Sequence, residues 1–285
     1  MKQIVLCLAL MLGAAPAVAD AELVGQIVWR EFVDGFGGIS GIEIDAKGDT
    51  FVAISDRGLF LTGNLAREDG QITKAELTGI RPILDAAGIW LTGNENDSEG
   101  LAVASDGRIF VSFEGDTRVQ SYARTDAAPE PTADHPDFVG FEKNSGLEAL
   151  AMDAEGRLYT LPERSGRANR PFKVYRFDGQ AWEVAFQVPR RGAHLPVGAD
   201  IGPDGRFYLL ERDFTGVGFR SRVRRFALDG SGETEILNTP NAIHDNLEGL
   251  TVWQDGDGAL RLLMIADDNY KFFQQTEIVE YRLTD

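Results

Sequence analysis

Cysteine is all but missing: the 285 residues contain one, Cys7, close to the amino end. A single early thiol excludes a disulfide framework, iron–sulfur ligation, Cys-based zinc sites and cysteine catalysis from the rest of the chain. Positive charge is scarce too, with Lys+Arg 28 against Asp+Glu 45 and a net charge of −17. A chain that lacks concentrated Lys/Arg is not expected to bind nucleic acid or an anionic membrane. It suits cations, cationic partners or metal-bridged anions instead. Beyond the first residues no run reaches the roughly 18 apolar residues of a membrane span. No amphipathic helix of useful length, P-loop, dinucleotide fingerprint or Gly-x-Ser-x-Gly elbow is present. What the chain does have is 43% hydrophobic residues and 32 glycines, enough to bury a full core and too much for a disordered protein.

Lys2, an apolar stretch from Ile4 to Leu12 and Ala17-Val18-Ala19 before Asp20 read as a secretory signal peptide over 1–19. The expected mature protein, 20–285, is one thiol-free domain, periplasmic or secreted, monomeric, and dependent on its core, its topology or a bound ion for stability.

An internal repeat organises that domain. Gly107-Arg108-Ile109-Phe110 recurs as Gly156-Arg157-Leu158-Tyr159 and Gly205-Arg206-Phe207-Tyr208, each time after 49 residues. Weaker copies around residues 41–53 and 249–265 make five units. Alternating apolar residues around Asp-Gly turns give each unit four short strands, such as 109–113, 172–177 and 182–188. Four-stranded units at this spacing predict an all-β fold, a β-propeller of five blades. Six blades require the 59-residue step from Ser40 to Glu99 to hide a degenerate one. The last unit is one strand short and residues 23–32 are spare, so the N-terminal strand is expected to close the ring.

Aligned units place Ser40, Glu99, Glu148, Val197 and Glu248 just before the innermost strands, at the mouth of the central channel. Asp56, Glu114, Glu163, Glu211 and Asp267 end the second strands and fall on the same face. Converging carboxylates repel and call for a cation, and hard oxygen ligands favour calcium or magnesium. Glu99, Glu148, Glu248 and Asn246 are the expected metal ligands, with Asn96, Asp97, Asn144 and Asp245 as further oxygen donors. Pairing of the acids with arginines such as Arg57, Arg118, Arg167 and Arg212 is the alternative. Glu43 and Asp200, three residues after Ser40 and Val197, fit neither set, because an odd offset faces the other side of a strand. His194 and His244 enter innermost strands on the acidic face and could move protons; His135 lies in a Pro-rich loop. Arg164 and Arg212 could hold an anion. Ser98 and Ser145 read as turn residues rather than nucleophiles.

The segments Asp97-Ser98-Glu99-Gly100-Leu101, Gly146-Leu147-Glu148-Ala149-Leu150 and Asn246-Leu247-Glu248-Gly249-Leu250, with the Asp-Gly-Arg turns between them, resemble the phytase-like family described as "esterase-like activity of phytase". The resemblance runs from about Gly38 to Tyr281. It implies an exported propeller with Glu99, Glu148 and Glu248 as its recurring glutamates, and a metal-centred site. The longer motifs of true β-propeller phytases are not recognised, which separates the chain from phytate as substrate. The expected function is calcium-dependent hydrolysis of a small anionic ester or phosphoester, with Glu148, His194, His244, Arg164 and Arg212 as catalytic groups. A binding propeller without chemistry and a lactonase-like hydrolase are the alternatives.

Overall fold

A computed structural model describes residues 21–141 and 146–284. The signal segment 1–19, Asn144 and Ser145 lie outside the described residues. Among the described residues twenty strands form five four-stranded antiparallel sheets. From channel to rim the first blade is β2 (Ile39–Ile44), β3 (Thr50–Ser55), β4 (Leu59–Glu68) and β5 (Gln71–Pro82). The second is β6 (Ser98–Val103), β7 (Ile109–Phe113), β8 (Arg118–Tyr122) and β9 (Pro129–Pro131). The third is β10 (Leu147–Met152), β11 (Leu158–Pro162), β12 (Phe172–Phe177) and β13 (Trp182–Val188). The fourth is β14 (Leu195–Ile201), β15 (Phe207–Phe214), β16 (Phe219–Phe226) and β17 (Thr234–Asn238). The fifth joins β18 (Asn246–Gln254), β19 (Leu260–Asp267) and β20 (Glu277–Leu283) to β1 (Ala21–Val28).

Ring closure therefore runs as the strand count requires, with β1 antiparallel to β20 from Ala21↔Leu283 to Val28↔Glu277. The spare strand is shorter than the expected 23–32. It stops at Val28 because Trp29 turns inward against Phe36 and Phe51, with ring centroids at 4.8 and 5.2 Å. The long step from Ser40 to Glu99 holds no sixth blade. It is taken up by β4 and β5, of 10 and 12 residues, and a loop pinned by the Leu84↔Trp90 bridge. Among the described residues no helix is long and apolar enough to cross a membrane.

The core lies between blades. Tyr159, Leu161 and Val174 of the third blade pack on Phe207, Leu209 and Phe226 of the fourth, all fully buried. Each such aromatic contributes about 1.5–3 kcal/mol through burial. At the axis the innermost strands crowd, and here glycine is required. A Cβ on Gly198 would lie 2.2 Å from the Glu248 carbonyl oxygen, and one on Gly249 3.0 Å from the Ile42 amide nitrogen. The channel narrows at this level to a void of about 10 Å³, close to the smallest volume that holds one water, roughly 10–15 Å³.

Candidate metal centre and substrate face

Every innermost strand carries a register shift at the same place, next to Ser40, Glu99, Glu148, Val197 and Glu248. These residues thus sit inside the strands as bulged positions, second or third in each, rather than just before them. A bulge opposes two residues to one, bends the strand and re-aims a side chain. Repeated five times, it turns this position toward the channel mouth. It also changes the parity that left Glu43 and Asp200 without a place. Glu43 accepts from Thr251 Oγ1 at 3.0 Å, and Asp200 accepts from the Val252 amide at 2.5 Å, so both line a lower tier around β18. Burial, then the Asp200 charge, holds Glu43 well above the carboxylate range; burial pushes Asp200 up to about 6.

The outer tier needs one correction. Opposite the residue two before each bulge stand Asp56, Glu114, Glu163, Arg212 and Asp267. In the fourth blade this position is Arg212, paired with Leu195, while Glu211 pairs with Pro196. Adjacent strand residues face opposite sides. Glu211 is accordingly fully buried against Arg222 at 2.9 Å and Arg224 at 2.6 Å, and takes no part in the mouth. The repeat interval already carried this signal, since 114, 163 and 212 are 49 residues apart.

The mouth is therefore a well of carboxyl groups with one guanidinium inserted. Asp97, Glu99 and Glu114 each offer an oxygen within 4.8 Å of the others. Burial pushes Asp267 up to about 8, helped by Glu248, and Asp56 up to about 7, helped by Asp97 and Glu248. Glu114 rises to about 7, also through burial. Glu99 and Glu148 are held well above the ordinary range by burial first and then by the neighbouring Glu148 and Glu114 respectively. Asp56 Oδ1 is buried without a hydrogen-bond partner among the described residues. Arg57 beside Asp56 and Arg164 on Glu163 offset only part of this repulsion on the side of blades one to three.

On the other side Arg212 binds Glu248 directly, donates to Asn246 Oδ1 at 2.5 Å and reaches Glu163 at 3.7 Å. Burial opposes its charge, but the surrounding carboxylates raise its pKa further. Asn246 Nδ2 also donates to Glu248 at 2.9 Å. Four expected residues, Glu99, Glu148, Glu248 and Asn246, thus meet in one well together with Arg212. Arg164 stands beside it on Glu163, at 3.1 Å.

Both histidines are buried rather than exposed. His244 Nε2 lies 2.6 Å from the Tyr281 hydroxyl and Nδ1 3.5 Å from Glu277. His194 is surrounded by Arg222, Glu211, Asp213 and Arg220, and burial lowers its pKa. Only His244 of the two lines the groove that opens from the well. Sequence reasoning missed three features here: the Arg57 guanidinium stacked 3.2 Å over the Tyr270 ring, the left-handed pair Asn269 and Tyr270, and the groove itself. The acidic run Asp267-Asp268-Asn269 was the available hint for the second, because Asn tolerates that conformation.

A family model described as "Phytase-like: Esterase-like activity of phytase" matches residues 34–270. The chain belongs to the phytase-like family. No curated protein matches it in a sequence search. Among solved structures it is similar to a gluconolactonase from Xanthomonas campestris, at 18% identity over 88% of this chain and 74% of that one, TM-score 0.49. It is also similar to virginiamycin B lyase from Staphylococcus aureus, at 12% identity over 90% and 98%, TM-score 0.47. A PQQ-bound aldose sugar dehydrogenase from Streptomyces coelicolor gives 13% identity, 90% and 98% coverage and TM-score 0.49. These distant likenesses carry no argument about chemistry.

Proposed function

We propose that this phytase-like propeller is an exported, calcium-dependent hydrolase of small anionic esters or phosphoesters. The observation that carries the reading is the Asp97–Glu99–Glu114 triad, its oxygens within 4.8 Å of one another, beside the unpartnered Asp56 Oδ1. All-oxygen donors of irregular arrangement fit calcium better than magnesium, which demands near-octahedral geometry. Glu99 and Glu114, with Asp97, are the ligands the geometry favours, and Glu148, Glu248 and Asn246 extend the donor set toward Arg212. A cation bound there would polarise the ester or phosphoryl oxygen and lower the pKa of a water molecule.

The chain's own groups supply the rest. Burial, then the charge of Glu114 and the hydrogen bond to it, holds Glu148 well above the ordinary carboxylate range. It is thus placed to donate to a leaving oxygen, with Glu114 as its proton partner. Arg212 and Arg164 face the anion from the opposite wall. His244, in contact with Tyr281, is the histidine available to the groove; His194 remains among the fourth-blade arginines. Export to the periplasm or medium rests on the signal-like segment alone.

Isothermal titration of metal-stripped protein with calcium, then a panel of carboxylic esters, phosphoesters and lactones, tests the reading. Calcium binding with turnover that Glu148→Gln reduces at least tenfold supports it; unchanged turnover in that variant removes Glu148 from the mechanism. One observation favours a second reading: Arg212 already neutralises Glu248 and Glu163 from within, as a binding propeller without chemistry would need. That reading predicts calcium or ligand binding with no turnover anywhere in the panel.

A further inference from the structure

A groove of about 940 Å³ leaves the acidic well on the fourth- and fifth-blade side. Glu163, Arg212 and Asn246 belong to both, so the two spaces are continuous. Away from the well the walls become apolar. Phe214, Val217, Ile243 and Phe273 line the groove and are 62%, 86%, 51% and 67% exposed. Large apolar side chains gathered around one concavity mark a binding site rather than ordinary surface.

The walls are also held in place. The β15–β16 hairpin extends beyond its neighbours, with Phe214 and Phe219 paired at 5.0 Å. It is tied to the next loop by the Ala242 amide on the Phe219 carbonyl, at 2.9 Å, and by Thr215 Oγ1 on Asn241, at 2.8 Å. Ala242 adopts φ +59 to make that contact. Opposite, Gln274 Nε2 and the Gln275 amide donate to Asp245 at 3.0 and 2.7 Å, fixing the loop that carries Phe273. Arg164, Arg212 and Lys271 supply positive charge along the same groove, interspersed with Glu163, Asp213, Asp245 and Glu277.

We propose that this groove receives the non-reacting arm of the substrate, so that the protein takes amphiphilic anionic esters. An alkyl, acyl or aryl arm lies between the Phe214–Phe219 pair and Phe273, and the anionic group reaches Arg212 at the well. The reacting end rests on the hydrolase reading above; the arm site does not. The groove volume matches the roughly 300–1,000 Å³ of small-molecule sites.

The test is calorimetric titration of the full mature protein with inorganic phosphate, ethyl, butyl and hexyl phosphate, in calcium and in chelator. Affinity is expected to rise with each methylene, by at most about fourfold per group. Phe214→Ser and Phe273→Ser, both at exposed positions, should flatten the series while leaving inorganic phosphate binding unchanged; Val217→Ser serves as an independent third variant. A chain-length series that persists in chelator supports the groove as an arm site in which Arg212 holds the anionic group without a calcium bridge. Calcium-dependent phosphate binding with a flat series overturns the groove alone. A flat series accompanied by binding to phosphatidylcholine vesicles, lost in Phe273→Ser, also overturns it and assigns the aromatics to a membrane surface.

Discussion

The second and fourth blades present the same bulged backbone to the channel mouth but carry opposite chemistry. The two register positions are Glu99 and Glu114 in one, Val197 and Arg212 in the other. The ring is therefore polar across its axis. Blades one to three gather carboxyl groups with Arg57 and Arg164 only at their edge, while the fourth inserts a cation into the well that binds Glu163 and Glu248. A divalent cation and an anionic substrate need such a division, one wall for each. The contrast extends to a single peptide step: Glu211 faces its own blade and holds Arg222 and Arg224, while Arg212 faces the site.

The largest expected effect separates those two residues. Glu211→Ala leaves two arginines without their shared carboxylate in the core and should cost about 3–5 kcal/mol in denaturant unfolding. Its calcium response, measured by titration of the surviving folded fraction, should not change. Arg212→Ala removes a cation whose side chain is 20% exposed, so the penalty is smaller, about 2 kcal/mol. Added calcium should narrow the gap to wild type in Arg212→Ala and leave it unchanged in Glu211→Ala, which sharpens the difference between the faces.

Proton dependence gives the next effect. Folded values of about 7 for Asp56 and Glu114 and about 8 for Asp267 lie above the roughly 4 expected for unfolded carboxyls. The folded state then binds more protons between these limits, so stability falls as pH rises from about 4 and levels off above about 8. Metal-stripped protein should melt at a lower temperature at pH 8.5 than at pH 5.5, and saturating calcium should remove the difference by replacing the protons. The smallest effect belongs to Arg57→Gln, which loses the stack on Tyr270. It should cost about 1 kcal/mol or less, with no change in calcium stoichiometry.

Much of the fold was legible because the 49-residue repeat fixes turns and strands together. The strands Ile109–Phe113, Phe172–Phe177 and Trp182–Val188 run as the apolar alternation places them. The convergence of Glu99, Glu148, Glu248 and Asn246 was readable for the same reason. A bulge leaves no compositional mark, however, so the parity that brings Glu43 and Asp200 into the channel was hidden. Local acidity favoured Glu211 over Arg212 where the repeat interval pointed to the arginine. The burial of His194 and His244 and the aromatic groove depend on loops from different blades meeting in space, and short-range pattern does not encode that meeting.

The central claim is that the carboxyl-rich wall holds a cation, and thermal unfolding of metal-stripped protein titrated with calcium, magnesium as control, tests it most directly. Selective binding to the folded state adds about 2.7 kcal/mol at a hundred times the dissociation constant. The account predicts a saturable, calcium-selective rise in Tm that Glu99→Gln abolishes and Glu211→Gln, itself destabilised, retains. A flat titration of the wild type, or an undiminished rise in Glu99→Gln, would contradict it.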